Sequence, residues 1–214
     1  MAAGGPMASK EDAGSRDEGE RSAAALRGEL GRRAVEIAGE VGYSELTVQR
    51  LLERTGVSRK AFYRLFADKG ECYLQGEREV FARLEAELRD PCESEPDWAA
   101  ALEASLRRLA AFIETEPLVA RGVLVESRIA GGEALEVRFE VLERLSRAVD
   151  SARRESKSRH SPPPFTARFI TAAIEESAVG SLLLGEPGRF AASVPDLAWI
   201  ATLVYFGDGA APGD

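Results

Sequence analysis

Apolar residues recur at three- and four-residue steps along most of the chain. Nowhere do they alternate long enough to make a strand, and no internal repeat is visible. The pattern predicts an all-α protein. A first helix is expected from near Ala24 to Val41, with Leu26, Leu30, Ala34, Ile37, Ala38 and Val41 as its apolar stripe. Gly28, Gly31 and Gly39 each weaken it by up to ~1 kcal/mol, so packing must hold it. Two short helices follow. A longer one is expected from an Asp68 cap to about Leu88, with Leu74, Phe81, Leu84 and Leu88 as its seam, and Pro91 and Pro96 then mark a break.

Asp97 caps the next predicted helix, whose inner positions are Trp98, Leu102, Ser105, Leu106, Leu109, Phe112 and Ile113, and Pro117 ends it. A shorter stretch carries Leu118, Val119, Val123, Leu124 and Ile129 up to Gly131 and Gly132. A helix from Glu133 to about Arg154 has Leu135, Phe139, Leu142, Leu145 and Val149 as its inner face, and a proline-rich loop follows. Phe165 to Leu184 is helical through Phe169, Ile170, Ile174, Val179, Leu182 and Leu183, and 185–188 stop it. The last helix is expected over about Pro195 to Phe206. Residues 1–22 and 208–214 have too little apolar side chain to order themselves and read as tails.

The most informative stretch runs from Thr47 to Lys69. Thr47 can cap a short helix with Leu51 and Leu52 on its apolar side. Gly56 supplies the sharp stop, Val57 plugs the corner, and Ser58 caps the next helix. Phe62, Leu65 and Phe66 face inward at helical spacing. Arg59, Lys60, Tyr63 and Arg64 are left outside. A short helix with an apolar inner face and a basic, aromatic outer face suits the major groove.

Composition changes that picture in one respect. The 214-residue chain carries a net charge of −8, which speaks against a wholly basic surface. The charge is unevenly spread, however. Residues 21–69 hold ten Lys/Arg against six Asp/Glu, whereas 70–214 hold sixteen against twenty-five. A basic module on an acidic body favours local contact with phosphates. The acids Glu11, Asp12, Asp17, Glu18 and Glu20 argue against a basic arm in the minor groove. Cys72 and Cys92 lack metal-site spacing, and a reduced, cytoplasmic setting is the simplest expectation. The N-terminus lacks a secretory signal pattern, and no apolar run approaches ~18 residues. Enzyme chemistry finds little to use. His160 stands alone in a loop, and no nucleophile triad, phosphate loop or zinc motif occurs. No catalytic residue, metal or cofactor is expected.

Taken in order, the signals between residues 27 and 74 resemble the N-terminal domain of TetR-family transcriptional regulators. They include the Gly42-Tyr43 turn, the Thr47 cap, Thr55-Gly56-Val57-Ser58, and Phe62 through Lys69. The resemblance covers about a quarter of the chain. It implies a helix-turn-helix domain over 23–68 and a helical ligand-binding and dimerisation domain over 69–207. The implied DNA contacts are Thr47, Ser58, Arg59, Lys60, Tyr63 and Lys69, with Thr47, Tyr63 and Lys69 on the backbone. A cap alone also explains Thr47, and a rim aromatic also explains Tyr63. The sequence departs from the family in having Leu65 where histidine is frequent and Gly70 where glutamate is frequent.

One short reading helix makes few contacts, so a homodimer on palindromic double-stranded DNA is expected. The resemblance places its interface on the last two helices. Ala173, Ser177, Gly180 and Ser181 there form a small-residue stripe, and Trp199, Leu203 and Phe206 are apolar anchors; a core role fits them too. Trp98, Phe112, Arg121, Glu126, Arg128 and Phe139 are candidates to line a pocket for a small-molecule inducer, although each taken singly fits core or surface better than a ligand contact. The functional expectation is a sequence-specific repressor released by a small apolar or amphipathic ligand. Two rivals remain open: a helical protein-interaction module, and a ligand-binding protein without DNA affinity.

Overall fold

The computed structural model describes residues 10–95, 97–151 and 162–207, and of residues 10–20 and 92–94 only the backbone. Every regular element among them is helical. They are α1 (Lys10–Val41), a 3-10 turn (Tyr43–Glu45), α2 (Val48–Thr55), α3 (Arg59–Leu65), α4 (Lys69–Ser94), α5 (Trp98–Thr115), α6 (Pro117–Leu124), α7 (Glu126–Ala130), α8 (Gly132–Val149), α9 (Thr166–Leu183) and α10 (Gly188–Phe206).

Helix α1 packs along both α4 and α6, and α5 lies between α4 and α10. Helix α9 is flanked by α8 and α10. One hydrophobic cluster runs through all of this, from Leu30 in α1 past Phe62 and Phe66 to Tyr205 in α10. The core is thus continuous across residue 68.

Close backbone crossings fix α1. At Gly31 it meets Gly76 of α4, where a Cβ on Gly31 would lie 2.7 Å from the Gly76 nitrogen. A methyl on Gly76 would overlap the Gly31 carbonyl. Farther along, Gly39 presses on the Leu118 carbonyl, and Gly122 of α6 presses on that of Val35. The buried Tyr73 hydroxyl donates to the Gly122 carbonyl at 2.6 Å, tying α4 to α6 beside this crossing. These glycines cost helix propensity, but they allow the helices to touch backbone to backbone.

Several expectations need correction. Helix α1 begins at Lys10, so the tail expected over 1–22 becomes helix from there, and residues 1–9 lie outside the described residues. Seven of residues 10–22 are Ala, Glu, Lys or Arg, which cost little in a helix. An apolar stripe is not required to extend a helix already nucleated. Helix α4 passes Leu88 and takes Pro91 into its last turns. The proline leaves the Glu87 carbonyl without its helical donor. Arg108 of α5 supplies one at 3.2 Å, and the Ser105 hydroxyl donates to the neighbouring Leu88 carbonyl at 2.8 Å.

The stretch after Pro117 is two helices, divided at Val125, and Pro117 opens the first of them. Helix α8 is rotated from expectation. Its buried residues are Ala134, Arg138, Val141 and Ser146, and Phe139 is 53% exposed. The buried guanidinium of Arg138 takes the place the phenyl ring was expected to fill. In α9, Ile170, Ile174, Ala178, Val179 and Leu182 face in, while Phe169 and Leu183 are exposed. Ile170 takes the inward position on this turn, and Phe169, about 100° away around the helix, falls on the outer side. Helix α10 starts at Gly188 and contains Pro195; the turns before the proline are held by buried Phe190 and Val194.

Candidate nucleic-acid interface

The reading unit follows from three caps and a glycine. The Thr47 hydroxyl accepts from the Arg50 amide at 3.2 Å and starts α2. Gly56 ends α2 at φ 70°, with open space where a methyl group would sit, so the left-handed backbone alone selects glycine there. The Ser58 hydroxyl accepts from the Ala61 amide at 3.2 Å and starts α3. Asp68 accepts from the Glu71 amide at 2.9 Å and starts α4.

Inward-facing Leu51, Phe62 and Phe66 are fully or almost fully buried. Phe62 lies 5.6 Å from Phe66 and edge-on to Tyr63 at 5.4 Å. This leaves Thr47, Ser58, Arg59, Lys60, Tyr63 and Arg64 exposed, together with Gln49 and Arg50. Arg50, Arg59, Lys60 and Arg64 form no ion pair with any described residue, whereas Arg54 is neutralised by Glu40 at 2.7 Å. The outer face of α3 therefore offers unspent positive charge and half of a tyrosine ring.

Lys69 is placed differently from the other expected contacts. It is half-buried, its ammonium donates to the carbonyls of Tyr43 (3.1 Å) and Ser44 (3.5 Å), and it stands 4.7 Å over the Tyr43 ring. In this position it braces the turn ahead of α2 against the start of α4. Gly70 beside it is sterically constrained, since an added Cβ would lie 3.1 Å from Asp68 Oδ1 and 3.3 Å from the Tyr43 hydroxyl. The Leu65 side chain is half-buried on the core.

A clamp that the apolar pattern does not reveal holds the end of α3. Arg27 of α1 stacks 4.4 Å over Phe66, donates to the Leu65 carbonyl, and pairs with Glu71 of α4 at 2.8 Å. The other Glu71 oxygen accepts from the Ala67 amide at 2.7 Å. That backbone bond, with Arg27 second, holds the Glu71 carboxyl below the usual carboxylate range. Its one trace in the sequence is the placement of unlike charges on two separate helices.

A buried carboxylate of the body also reaches this unit. Glu126 of α7, 2% exposed, accepts from the Tyr43 amide at 2.8 Å and lies 3.7 Å from Arg121. Tyr43 packs edge-on to Tyr73 at 5.0 Å. Burial, with Asp68 and Glu77 nearby, raises the Tyr43 phenol, and burial lifts the Cys72 thiol to about 12, so that thiol is inert at neutral pH. The Cys92 side chain and His160 lie outside the described residues.

The six expected pocket residues do not converge. Trp98 is buried against Tyr205 (5.4 Å) and Phe206 (5.7 Å). Phe112 is core under Arg83. Arg121 and Glu126 serve the Tyr43 turn. Arg128 pairs with Glu175 and Glu176 beside an open cleft that exposed Phe139 also lines. Of the six, Trp98 alone lines one of the two small cavities, which are otherwise walled by residues of α4, α5, α8 and α9 such as Leu88, Leu109, Leu145 and Ile174.

The expected interface residues divide as well. Ala173 and Trp199 are exposed, and Gly180, Leu203 and Phe206 are half-buried. Ser177 is hydrogen-bonded to Ser193 at 3.1 Å within the chain. Ser181 is buried and bonded to the Ala178 carbonyl, which removes it from any outer surface. Phe165, Phe169, Leu183, Leu184 and Ile200 join the exposed set, although Phe169 and Leu183 belong to the helix's apolar pattern.

Residues 32–75 match the family model described as bacterial regulatory proteins, tetR family. No curated protein matches the chain. Solved structures do. The fatty acid degradation regulator FadR from Bacillus halodurans superposes with a TM-score of 0.70 at 16% identity, over 80% of this chain and 95% of that one. A transcriptional regulator from Rhodococcus sp. Rha1 gives 0.64 at 20% identity, over 82% and 95%. At these identities the likeness is one of fold. No helix among the described residues is long and apolar enough to cross a membrane.

Proposed function

Starting from the TetR-family DNA-binding domain found over residues 32–75, we propose that the protein is a cytoplasmic, homodimeric, sequence-specific repressor released by a small apolar or amphipathic ligand. In this reading residues 23–68 contact DNA and residues 69–207 bind ligand and dimerise. The observation that carries it is the outer face of α3, where Arg59, Lys60 and Arg64 are exposed and unpaired beside Tyr63. Arg59 and Lys60 contact base edges or phosphates, and Tyr63, Ser58 and Thr47 hold the backbone. Lys69 contributes mainly by bracing the Tyr43 turn, with its remaining N–H free for a phosphate.

Two copies are needed because a seven-residue reading helix makes too few contacts alone. The exposed apolar residues of α9 and α10, with Phe169, Ala173, Leu183, Trp199 and Ile200 in front, support a paired four-helix interface. Ligand release is a shift between two conformations of the body. The Glu126–Tyr43–Lys69 chain of hydrogen bonds connects α7 to the DNA-reading unit and gives that shift a route.

Selection of bound sequences from random duplex DNA by the purified protein tests this. An enriched inverted repeat, bound with a steep loss of affinity as salt rises, is the expected result. Salt-insensitive association with no enriched sequence would favour the protein-interaction reading.

A further inference from the structure

Two adjoining cavities of about 60 and 100 Å3 lie between α4, α5, α8 and α9, sharing Leu88, Leu109, Leu145, Thr171 and Ile174 in their walls. Together they match in scale a cavity of ~150 Å3 that accepts benzene. Their walls are apolar apart from a few groups. Glu85 is engaged by Arg144 through two bonds of 2.8 and 2.9 Å, and Ser105 is bonded to the carbonyls of Leu88 and Ala101. Glu175 is held by Arg138.

Two buried atoms on these walls have no partner, Arg138 Nε and Thr171 Oγ1. Arg138 is 5% exposed and Thr171 7%. The threonine is the more telling of the two. A helical hydroxyl ordinarily bonds the carbonyl four residues back. Thr55, Thr115, Ser127 and Thr202 all do so here. Thr171 does not, although it lines both cavities. Leaving a buried donor without a partner is costly, and a ligand oxygen set between these two would satisfy both. An open cleft between α8 and α9 shares Arg138, Leu142, Thr171 and Glu175 with the smaller cavity and provides a way in.

Charge decides what kind of oxygen. Arg138 and Arg128 are already matched by Glu175 and Glu176. Glu77, the other carboxyl facing Arg138, is pushed up to about 8 by burial and is mostly protonated at neutral pH. A ligand carboxylate would therefore be buried without a compensating charge, which is costly. A carbonyl or amide oxygen would not.

We infer that these cavities are the effector site, and that the effector is an uncharged molecule the size of one ring whose single carbonyl-type oxygen accepts from Arg138 Nε and Thr171 Oγ1. This rests on the reading of the protein as a ligand-released DNA-binding regulator.

The test uses the full chain with three probes: acetophenone, benzoate and ethylbenzene. Calorimetric titration is expected to rank acetophenone first, and acetophenone is expected to lower affinity for the selected DNA. Thr171→Val keeps the shape and removes the hydroxyl. It should bind acetophenone about tenfold more weakly, the loss of one hydrogen bond, while melting no lower than the parent. Ala178→Met, which fills the smaller cavity, should abolish binding if the site is where we place it. Equal binding by parent and Thr171→Val would overturn the inference, as would ethylbenzene or benzoate binding as tightly as acetophenone, or no probe binding. Acetophenone that binds without changing DNA affinity removes the effector role. DNA affinity without any probe is measured first, and its absence would sink the regulator reading separately.

Discussion

Glu77 offers a quantitative test of the packing. It is fully buried on α4, and neither carboxyl oxygen has a hydrogen-bond partner. The groups around it are Arg138, Arg78, Tyr73 and Tyr43, with Glu126 also facing Tyr73. Burial outweighs the two arginines and lifts the carboxyl from an ordinary 4.5 to about 8. In the unfolded chain the group ionises near 4.5, whereas in the folded protein it keeps its proton until about 8. Between these values the folded state holds more protons, so rising pH favours unfolding. The contribution is fully present below 4.5 and is lost as pH climbs to 8. The slope approaches ~1.4 kcal/mol per pH unit, so the loss between pH 5 and pH 8 is on the order of 3 kcal/mol. Glu77→Gln keeps the neutral shape and cannot titrate. In urea unfolding, the variant should exceed the parent by about that amount at pH 8, and the gap should shrink to about 1 kcal/mol or less at pH 5. Other titrating groups cancel in the difference. A gap that does not change with pH, or a parent more stable than the variant at pH 8, would refute the reasoning.

Other outcomes follow from the same geometry. Arg59→Ala or Lys60→Ala should weaken DNA binding, blur sequence preference and flatten the salt slope by about one for each phosphate left without its cation, all readable by titration at several salt concentrations. Gly76→Ala should destabilise the fold by more than ~2 kcal/mol in urea melts, because its methyl overlaps the Gly31 carbonyl and two helices must separate. Trp199→Asp with Ile200→Asp should turn a dimer into a monomer in sedimentation and weaken DNA binding, with little change in helicity. Glu126→Gln keeps an acceptor for the Tyr43 amide and should leave DNA affinity nearly intact, whereas Glu126→Ala, which strands that amide, should reduce it several-fold.

The reading unit is legible in the sequence because its signals are local. Thr47, Ser58, Asp68 and Asp97 each bond a backbone amide three residues on, a relation that needs no tertiary knowledge. Glycine at 56 reports a dihedral angle, which is equally local. The start of α1 is not legible, because a charged helix need not show an apolar stripe. Gly31 and Gly39 read as weak points, since nothing in their neighbours announces the backbone lying across them. Arg138 and Glu77 look like solvent positions by residue type, yet both are interior. Phe139 and Phe169 look like interior positions and both are outside. Long-range partners decide such cases, and the apolar pattern does not carry them.

The glycine crossings of α1 also bear on how motion passes through the molecule. Where side chains separate two helices, a small displacement can be absorbed by rotamer changes. At Gly31 and Gly39 no compliant layer lies between the main chains. A shift of α4 or α6 must therefore be handed on undiminished to α1, and through Arg27 to the end of α3. The long first helix behaves as a stiff rod between its two mountings, and a movement too small to open a gap in the body can still turn the head that it carries.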